Sequence, residues 1–337
     1  MRYYGCPAEE GGAAKAFMVR AGAFADVDAA ISWHPASFTR VDEAKSLANT
    51  RVDFAFTGRA SHAAAAPHLG RSALDAVELM NVGVNYLREH MPSDARIHYA
   101  MLDSGGIAPN VVQAFAKVRY AVRSTSLAGM ASLLERVRNV ARGAALMTDT
   151  QLEMRVISAV SNLLGNTPME QAMDRHLARL GPPPFDDADR AFAARIQATL
   201  SREDIETDFR RVGLPAEGPP LSDVVVPMTA RGEPMIGSTD LGDVSWVVPT
   251  VQARVATHAI GTPGHSWQVT AQGKMPAAHK GMVHAAKAMA ATALDLVADP
   301  ALLSAAKADL QRRTAAQPYA SPIPEGAAPP LDFSGAA

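Results

Sequence analysis

The stretch Asn49-Thr50-Arg51-Val52-Asp53-Phe54-Ala55-Phe56-Thr57 alternates polar and apolar side chains, with Val52, Phe54 and Phe56 on one face. A period of two marks a half-buried strand and sets this segment apart from the near-continuous apolar runs of a parallel core. Downstream, Arg71 to Glu89 carries Leu74, Val77, Met80, Val84 and Leu87 three or four residues apart, the apolar stripe of a helix. Strands are expected near Ala95 to Leu102 and Val111 to Val122. A second amphipathic helix carries Met130, Leu133, Val137 and Val140, and a last strand runs near Gln151 to Ser158. Strand, helix, strand, strand, helix, strand is the order of a small α+β sandwich with one sheet face covered. This unit is expected as an inserted domain over residues 51–162.

Outside it, the pattern is α/β. Met1 to Gly5 reads as a short strand, Pro7 to Gly12 as a loop, Ala13 to Ala21 as a helix stopped by Gly22, and Ala29 to Trp33 as a strand ending at His34. Ligand-type residues therefore fall at strand carboxyl ends, where open sheets place their sites. After the insertion come helices near 168–180 and 187–200, separated by Pro182 to Pro184, then a strand at Gln252 to His258 and a loop at Gly261 to His265. A long helix from about His279 to Val297 follows. Residues 1–50 and 163–313 are thus read as one interrupted domain. The tail 314–337, rich in Pro, Ala and Gly from Gln317, is expected to be disordered.

Composition narrows the function. The chain has 337 residues, 48% hydrophobic and 20% charged, with a net charge of -2. Mixed charge gives no basic surface for nucleic acid, and no zinc-finger or phosphate-loop motif occurs. The single cysteine, Cys6, has no internal disulfide partner and reads as a small hydrophobe at a buried strand end. No apolar run reaches about 18 residues. A cytoplasmic protein with neither nucleic-acid nor membrane partners is expected.

The chemistry-bearing residues are few. Glu9 and Glu10 are adjacent acids, which a divalent cation makes compatible by offsetting their repulsion. One carboxylate can bind metal while the other handles a proton; taken alone, the pair reads sooner as helix-capping acids. His34, followed by Pro35, closes an apolar strand and taken alone is a core histidine. His265 is presented by a glycine- and proline-shaped turn, Gly261-Thr262-Pro263-Gly264-His265-Ser266. His62 lies in Gly58-Arg59-Ala60-Ser61-His62-Ala63-Ala64-Ala65-Ala66-Pro67, where small neighbours permit close approach of a substrate or another subunit. Ser61 beside it is no nucleophile signal, because strand neighbours point to opposite faces.

Together these segments resemble the peptidase family M-twenty of metal-dependent amidohydrolases and carboxypeptidases. The match rests on Pro7-Ala8-Glu9-Glu10, on Gly58 to Pro67, on Gly105-Gly106-Ile107-Ala108-Pro109-Asn110, and on stretches around 156–162, 237–246 and 261–267. The resemblance runs from Met1 to about Arg313. It implies a zinc-peptidase-like α/β catalytic domain, with the insertion serving as a ferredoxin-like lid and dimerisation domain. It assigns Glu9 as general base, and Glu10, His34 and His265 as metal ligands. His62 would reach the neighbouring protomer's site in a homodimer joined through the lid, and Asn110 and Arg123 would hold the substrate's carboxylate. Asp240 and Asp243 would support the site from behind.

The implied activity is hydrolysis of an N-acyl amino acid such as p-aminobenzoyl-glutamate by metal-activated water, with zinc or manganese as cofactor. The family pattern also includes a His-x-Cys-Gly-His-Asp type segment with further ligands, and these 337 residues contain none. The catalytic domain is therefore expected to be truncated and its metal depleted. Two other readings follow: a catalytically dead dimeric binding protein, or one part of a split enzyme completed by a second subunit.

Overall fold

Two sheets organise the chain in the computed structural model, which describes residues 1–233 and 237–331. α1 (Ala14–Arg20) leads into β1 (Ala30–Ala36) and the short β2 (Arg40–Val41). The chain then enters the inserted unit through β3 (Ala48–Thr57), α2 (Ala73–Arg88), β4 (Arg96–Asp103), β5 (Phe115–Ser124), α3 (Leu127–Thr148) and β6 (Gln151–Val160). It returns through α4 (Thr167–Leu180), α5 (Asp187–Gln197), α6 (Arg202–Val212) and α7 (Leu241–Val247). β7 (Thr250–Ala256), α8 (Trp267–Gln272), α9 (Pro276–Ala298) and α10 (Pro300–Thr314) complete it.

The inserted sheet has the order β4-β5-β3-β6 with every pair antiparallel, which is the ferredoxin-like arrangement. Alternation decides its faces. Val52, Phe54, Phe56, Val118, Tyr120 and Val122 all turn to one side, where α2 and α3 cover them with Val77, Met80, Val84, Leu133, Leu134 and Val137. Phe54 and Tyr120 meet edge to face, ring centroids 5.6 Å apart, a favoured aromatic geometry. Asn49, Arg51, Asp53, Arg119 and Arg123 are left on the opposite face, which has no helix of this unit upon it.

The other sheet is β1-β7-β2, with β1 parallel and β2 antiparallel to β7. β7 is central and buried almost throughout. Its Val251, Ala253 and Val255 pack on Met169, Met173 and Leu177 of α4, on Ala285, Ala288 and Leu296 of α9, and on Ala306 of α10. Helix α7 packs against the α1 region through Leu241, Val244, Val248 and Phe24. Among the described residues no single helix is long and apolar enough to cross a membrane.

Three expectations are corrected. Met1 to Gly5 forms no strand: Met1 and Tyr3 are exposed, no neighbouring strand among the described residues offers ladder partners, and the segment is held by side chains alone, Arg2 on Asp26 at 2.5 Å and the Tyr4 ring 4.7 Å from Phe24. Cys6 accordingly lies half-buried in irregular chain rather than at a strand end, and partial burial pushes its thiol pKa up. The tail is not loose over residues 315–331. Ile323 is buried with Ala16, Phe17 and Val160, the Tyr319 hydroxyl donates to Asp243 at 2.9 Å, and Arg20 donates to the carbonyls of Pro324 at 2.9 Å and Ala327 at 2.6 Å. A few anchoring side chains outweigh a composition poor in regular structure. Residues 332–337 lie outside the described residues.

Candidate active site

Glu9 and Glu10 sit on a tight turn whose ends are fastened by the Ala8 carbonyl, which accepts from the Gly12 amide at 2.8 Å and the Ala13 amide at 3.0 Å. Gly12 is required there: a Cβ would lie 2.8 Å from that of Ala8. The turn projects both carboxylates into solvent and carries Glu10 Oε2 to 3.7 Å from His265 Nε2. His265 belongs to the turn ahead of α8, which Ser266 stabilises by accepting from the Val269 amide and donating to the Pro263 carbonyl at 2.7 Å. Ala8, Ala13 and His265 are three of the four described non-glycine residues with positive φ, at 56°, 52° and 56°. Each such conformation costs on the order of 1–2 kcal/mol, and its concentration around the two turns that face each other is the pattern of a site held in shape by its surroundings.

His34 is exposed at the end of β1, with Nδ1 2.6 Å from the carbonyl of Pro35. His258 is half-buried nearby: desolvation pushes its pKa down to about 4, against the pull of Asp208 and with a further push from His34. Among the described residues no three His, Cys, Asp or Glu side chains are grouped to hold a metal ion. Glu10 and His265 approach each other, while His34 stays at the mouth of its own strand.

The lid brings two different groups of residues to two different places. At the β3 and β5 ends nearest the acidic turn, Arg51 donates to the Glu10 carbonyl at 3.1 Å, and Arg123 lies opposite Asn49 with a long 3.5 Å contact to the Ser238 hydroxyl. Burial lowers the Arg123 pKa, and the charge on Arg51 lowers it further. At the other end, His62 bridges to Val111, and the Asn110 carbonyl accepts from the Ala63 amide at 2.9 Å. The His62 Nδ1 accepts from the Ala64 and Ala65 amides at 3.2 and 3.1 Å, which places the ring proton on Nε2. Positions 115 to 123 of β5 separate the two groups by roughly 27 Å, at about 3.4 Å per residue. Asn110 and Arg123 are therefore not neighbours within one chain. They lie at opposite ends of the sheet.

Behind the acidic turn, Lys15 Nζ pairs with Asp240 at 2.6 Å and the Lys15 amide donates to the same carboxylate at 3.0 Å. Asp243 accepts from the Ser161 amide at 3.0 Å, the Ser161 hydroxyl at 2.9 Å and Tyr319. These contacts fasten α1, α7, the tail and the strand leaving the lid. Burial pushes the Asp243 pKa up to about 6 despite the hydrogen bonds from Ser161 and Tyr319. A folded-state pKa above the unfolded one means that the folded chain holds the proton more tightly, so this residue's contribution is complete below about pH 4 and is lost as pH rises through 6. Relative to Asp243→Asn, the unmodified chain is expected to gain about 2 kcal/mol between pH 7 and pH 4. Urea unfolding of both proteins across that range measures it, and a flat difference would contradict the assignment.

The domain family described as peptidase dimerisation domain matches residues 43–147, the first five elements of the lid. Over 340 residues the chain is 44% identical to a p-aminobenzoyl-glutamate hydrolase subunit of Escherichia coli (strain K12), an alignment covering 98% of this chain and 71% of that protein. The chain belongs to the M-twenty peptidase family. Its M-twenty fold is shared with a putative aminohydrolase from methicillin-resistant Staphylococcus aureus, at a TM-score of 0.58 and 14% identity over 86% of this chain and 65% of that one. A dinuclear metal binding peptidase from Bacillus subtilis superposes with a TM-score of 0.50 and 16% identity, over 86% of this chain and 63% of that one. The chain thus spans less than two thirds of either solved M-twenty structure. Arg51 escaped the sequence reading because it was counted only as the edge of the lid. Its signal was the alternation that places it on the face of Asp53 and away from Val52 and Phe54.

Proposed function

We propose that the chain acts within an amide hydrolase for N-acyl amino acids such as p-aminobenzoyl-glutamate, one protomer supplying part of its neighbour's site. The observation that carries this reading is the convergence of the Glu9-Glu10 turn with His265 beside Arg51 of the lid, whose diagonal neighbour on the same sheet face is Arg123. A small acyl-amino acid has both its features answered there: an amide for the acid and imidazole, and a carboxylate for a guanidinium, which grips it with paired hydrogen bonds.

Zinc or manganese is the cofactor this reading calls for. Glu10 and His265, with His34 at the adjoining strand end, suit such an ion in donor type. Two converging donors fall short of the three or four that define a closed site. When bound, the ion supplies activated water and charge for the developing oxyanion. Glu9 takes the proton from the attacking water and returns it to the leaving nitrogen. The Nε2 proton of His62 donates to the scissile carbonyl, and Arg123 holds the terminal carboxylate.

A homodimer supports that arrangement. His62 and Asn110 are remote from the acidic turn of their own chain, so a site needing both must draw them from another copy. The β4 edge and α2 expose Tyr99, Met101, Val82 and Tyr86, the last 67% accessible, beside unpaired strand groups that a second lid can satisfy. Mixing Glu9→Gln protein with His62→Ala protein is expected to restore about a quarter of normal turnover through mixed dimers with one intact site; restoration absent after confirmed subunit exchange would refute cross-protomer use of His62.

The incomplete ligand group favours a second reading, in which the chain binds without hydrolysing or is completed by another polypeptide. Its Escherichia coli relative is named as one subunit of a hydrolase, which fits the latter. Glutamate release from p-aminobenzoyl-glutamate, assayed together with bound metal, separates them. Inactivity at less than stoichiometric metal rejects catalysis by this chain alone, and activity restored by a chain bringing further metal ligands supports a split enzyme.

A further inference from the structure

We infer that the lid face around Asn49, Arg51 and Arg123 is a dicarboxylate-recognition site, in which Arg123 holds one carboxylate of the amino-acid portion and Arg51 the other. This rests on the proposed N-acyl amino acid reading and narrows it to amino acids with an acidic side chain.

Charge is unevenly distributed along the open face of the lid sheet. Toward one end, Asp53 is buried beneath Lys117 and Arg119, which pair with it at 2.9 and 2.6 Å, so acid and base are both answered. Toward the other end stand Arg51, Arg96 and Arg123, and among the described residues none of the three is ion-paired. Arg96 turns back on the carbonyls of its own loop, donating to Ala95 at 2.7 Å. That leaves Arg51 and Arg123, and the end they occupy is the one that touches the acidic turn.

The Arg123 guanidinium is not a solvated surface group with its needs met by water alone. The Nε of Arg123 is buried without a hydrogen-bond partner, as is the Oδ1 of Asn49 directly across the strand pair. An unanswered buried donor on a charged group costs more than an ordinary missing hydrogen bond, and two like charges side by side add repulsion. An anion removes both penalties. Arg51 commits one hydrogen bond, to the backbone of Glu10, which anchors it beside the reacting end while leaving most of its five donors available.

Spacing indicates two carboxylates rather than one. Asn49 pairs with Arg123 and Arg51 with Ala121, so the two arginines are diagonal neighbours on adjacent antiparallel strands. Diagonal positions lie about 7–8 Å apart, somewhat less at Cβ, a span that lets two guanidiniums take the main-chain and side-chain acids of a single glutamate or aspartate residue. A monocarboxylate satisfies one cation and leaves the other facing it unanswered.

Binding rather than turnover provides the test, in chelator-treated protein so that no metal contributes. Calorimetry with p-aminobenzoyl-glutamate, p-aminobenzoyl-glutamine and free glutarate is expected to show the two diacids bound and the glutamine analogue at least about tenfold weaker than its glutamate counterpart, as loss of one charge-assisted pair predicts. Arg51→Gln should erase that preference, and Arg51→Lys should restore part of it while showing that the lid still folds. If unmodified protein does not discriminate glutamate from glutamine analogues, or if Arg51→Gln leaves the preference intact, the dicarboxylate assignment falls while the acyl-amino-acid reading stands. If glutarate binds in an Arg51-dependent manner and neither acyl compound does, the anion site stands and the substrate reading falls. Binding of none of the three overturns both.

Discussion

Replacing Glu9 by Gln is expected to lower amide hydrolysis by about two to four orders of magnitude, the usual contribution of a positioned general base. Metal content should be unchanged, because Glu10 and His265 are the side chains that converge and Glu9 is not between them. His265→Ala should behave differently, reducing metal and rate together, since it removes the partner of Glu10. The comparison is made on the assembly that releases glutamate, with metal measured on the same samples. Full activity in Glu9→Gln would show that another group handles the proton. Equal metal loss in both variants would show that the two acids share the ion.

The largest effect on stability is expected at Lys15. Its ammonium is 14% exposed and its partner Asp240 fully buried, so Lys15→Ala strands a carboxylate away from water. Breaking one side of a buried pair costs about 3–5 kcal/mol, much of it the penalty on the charge left behind. The Lys15 backbone amide continues to donate to Asp240, which places the loss toward the lower end of that range. Replacing both residues, Lys15→Met with Asp240→Leu, should recover a substantial part of it, because an apolar pair has no charge to strand. Chemical denaturation of the single and double variants gives both quantities. A single-variant loss below about 1 kcal/mol would mean that water reaches Asp240.

Much of the lid was legible because each element is half-buried, and half-burial writes a period into the sequence. Alternation at Val52, Phe54 and Phe56 and the helical stripe through Val77, Met80 and Val84 both mark residues of one packed core. The helices of the other domain were less legible where they are short or weakly amphipathic. α6 is announced by a capping box, Ser201 with Asp204, and by a stripe of only Ile205, Phe209 and Val212, and α10 by Asp299 ahead of Pro300. The tail was misread because composition carries no record of Tyr319 finding a partner 76 residues away or of Ile323 packing on the opposite end of the chain. The candidate site divided in the same manner. Glu10 and His265 were paired by their motifs, yet the separation of Asn110 from Arg123 depends on the length of β5, and the exposure of Arg51 on the acidic side depends on pairing between strands. Neither is encoded in any short stretch.

The shared carboxylate of Asp243 has a mechanical consequence. It binds the segment by which the chain leaves the lid, through Ser161, and the far end of the polypeptide, through Tyr319. A swing of the lid about that exit strand is therefore resisted by a strut running back to residue 319, and severing the chain just before this tyrosine would free the pivot without removing one side chain from the cleft.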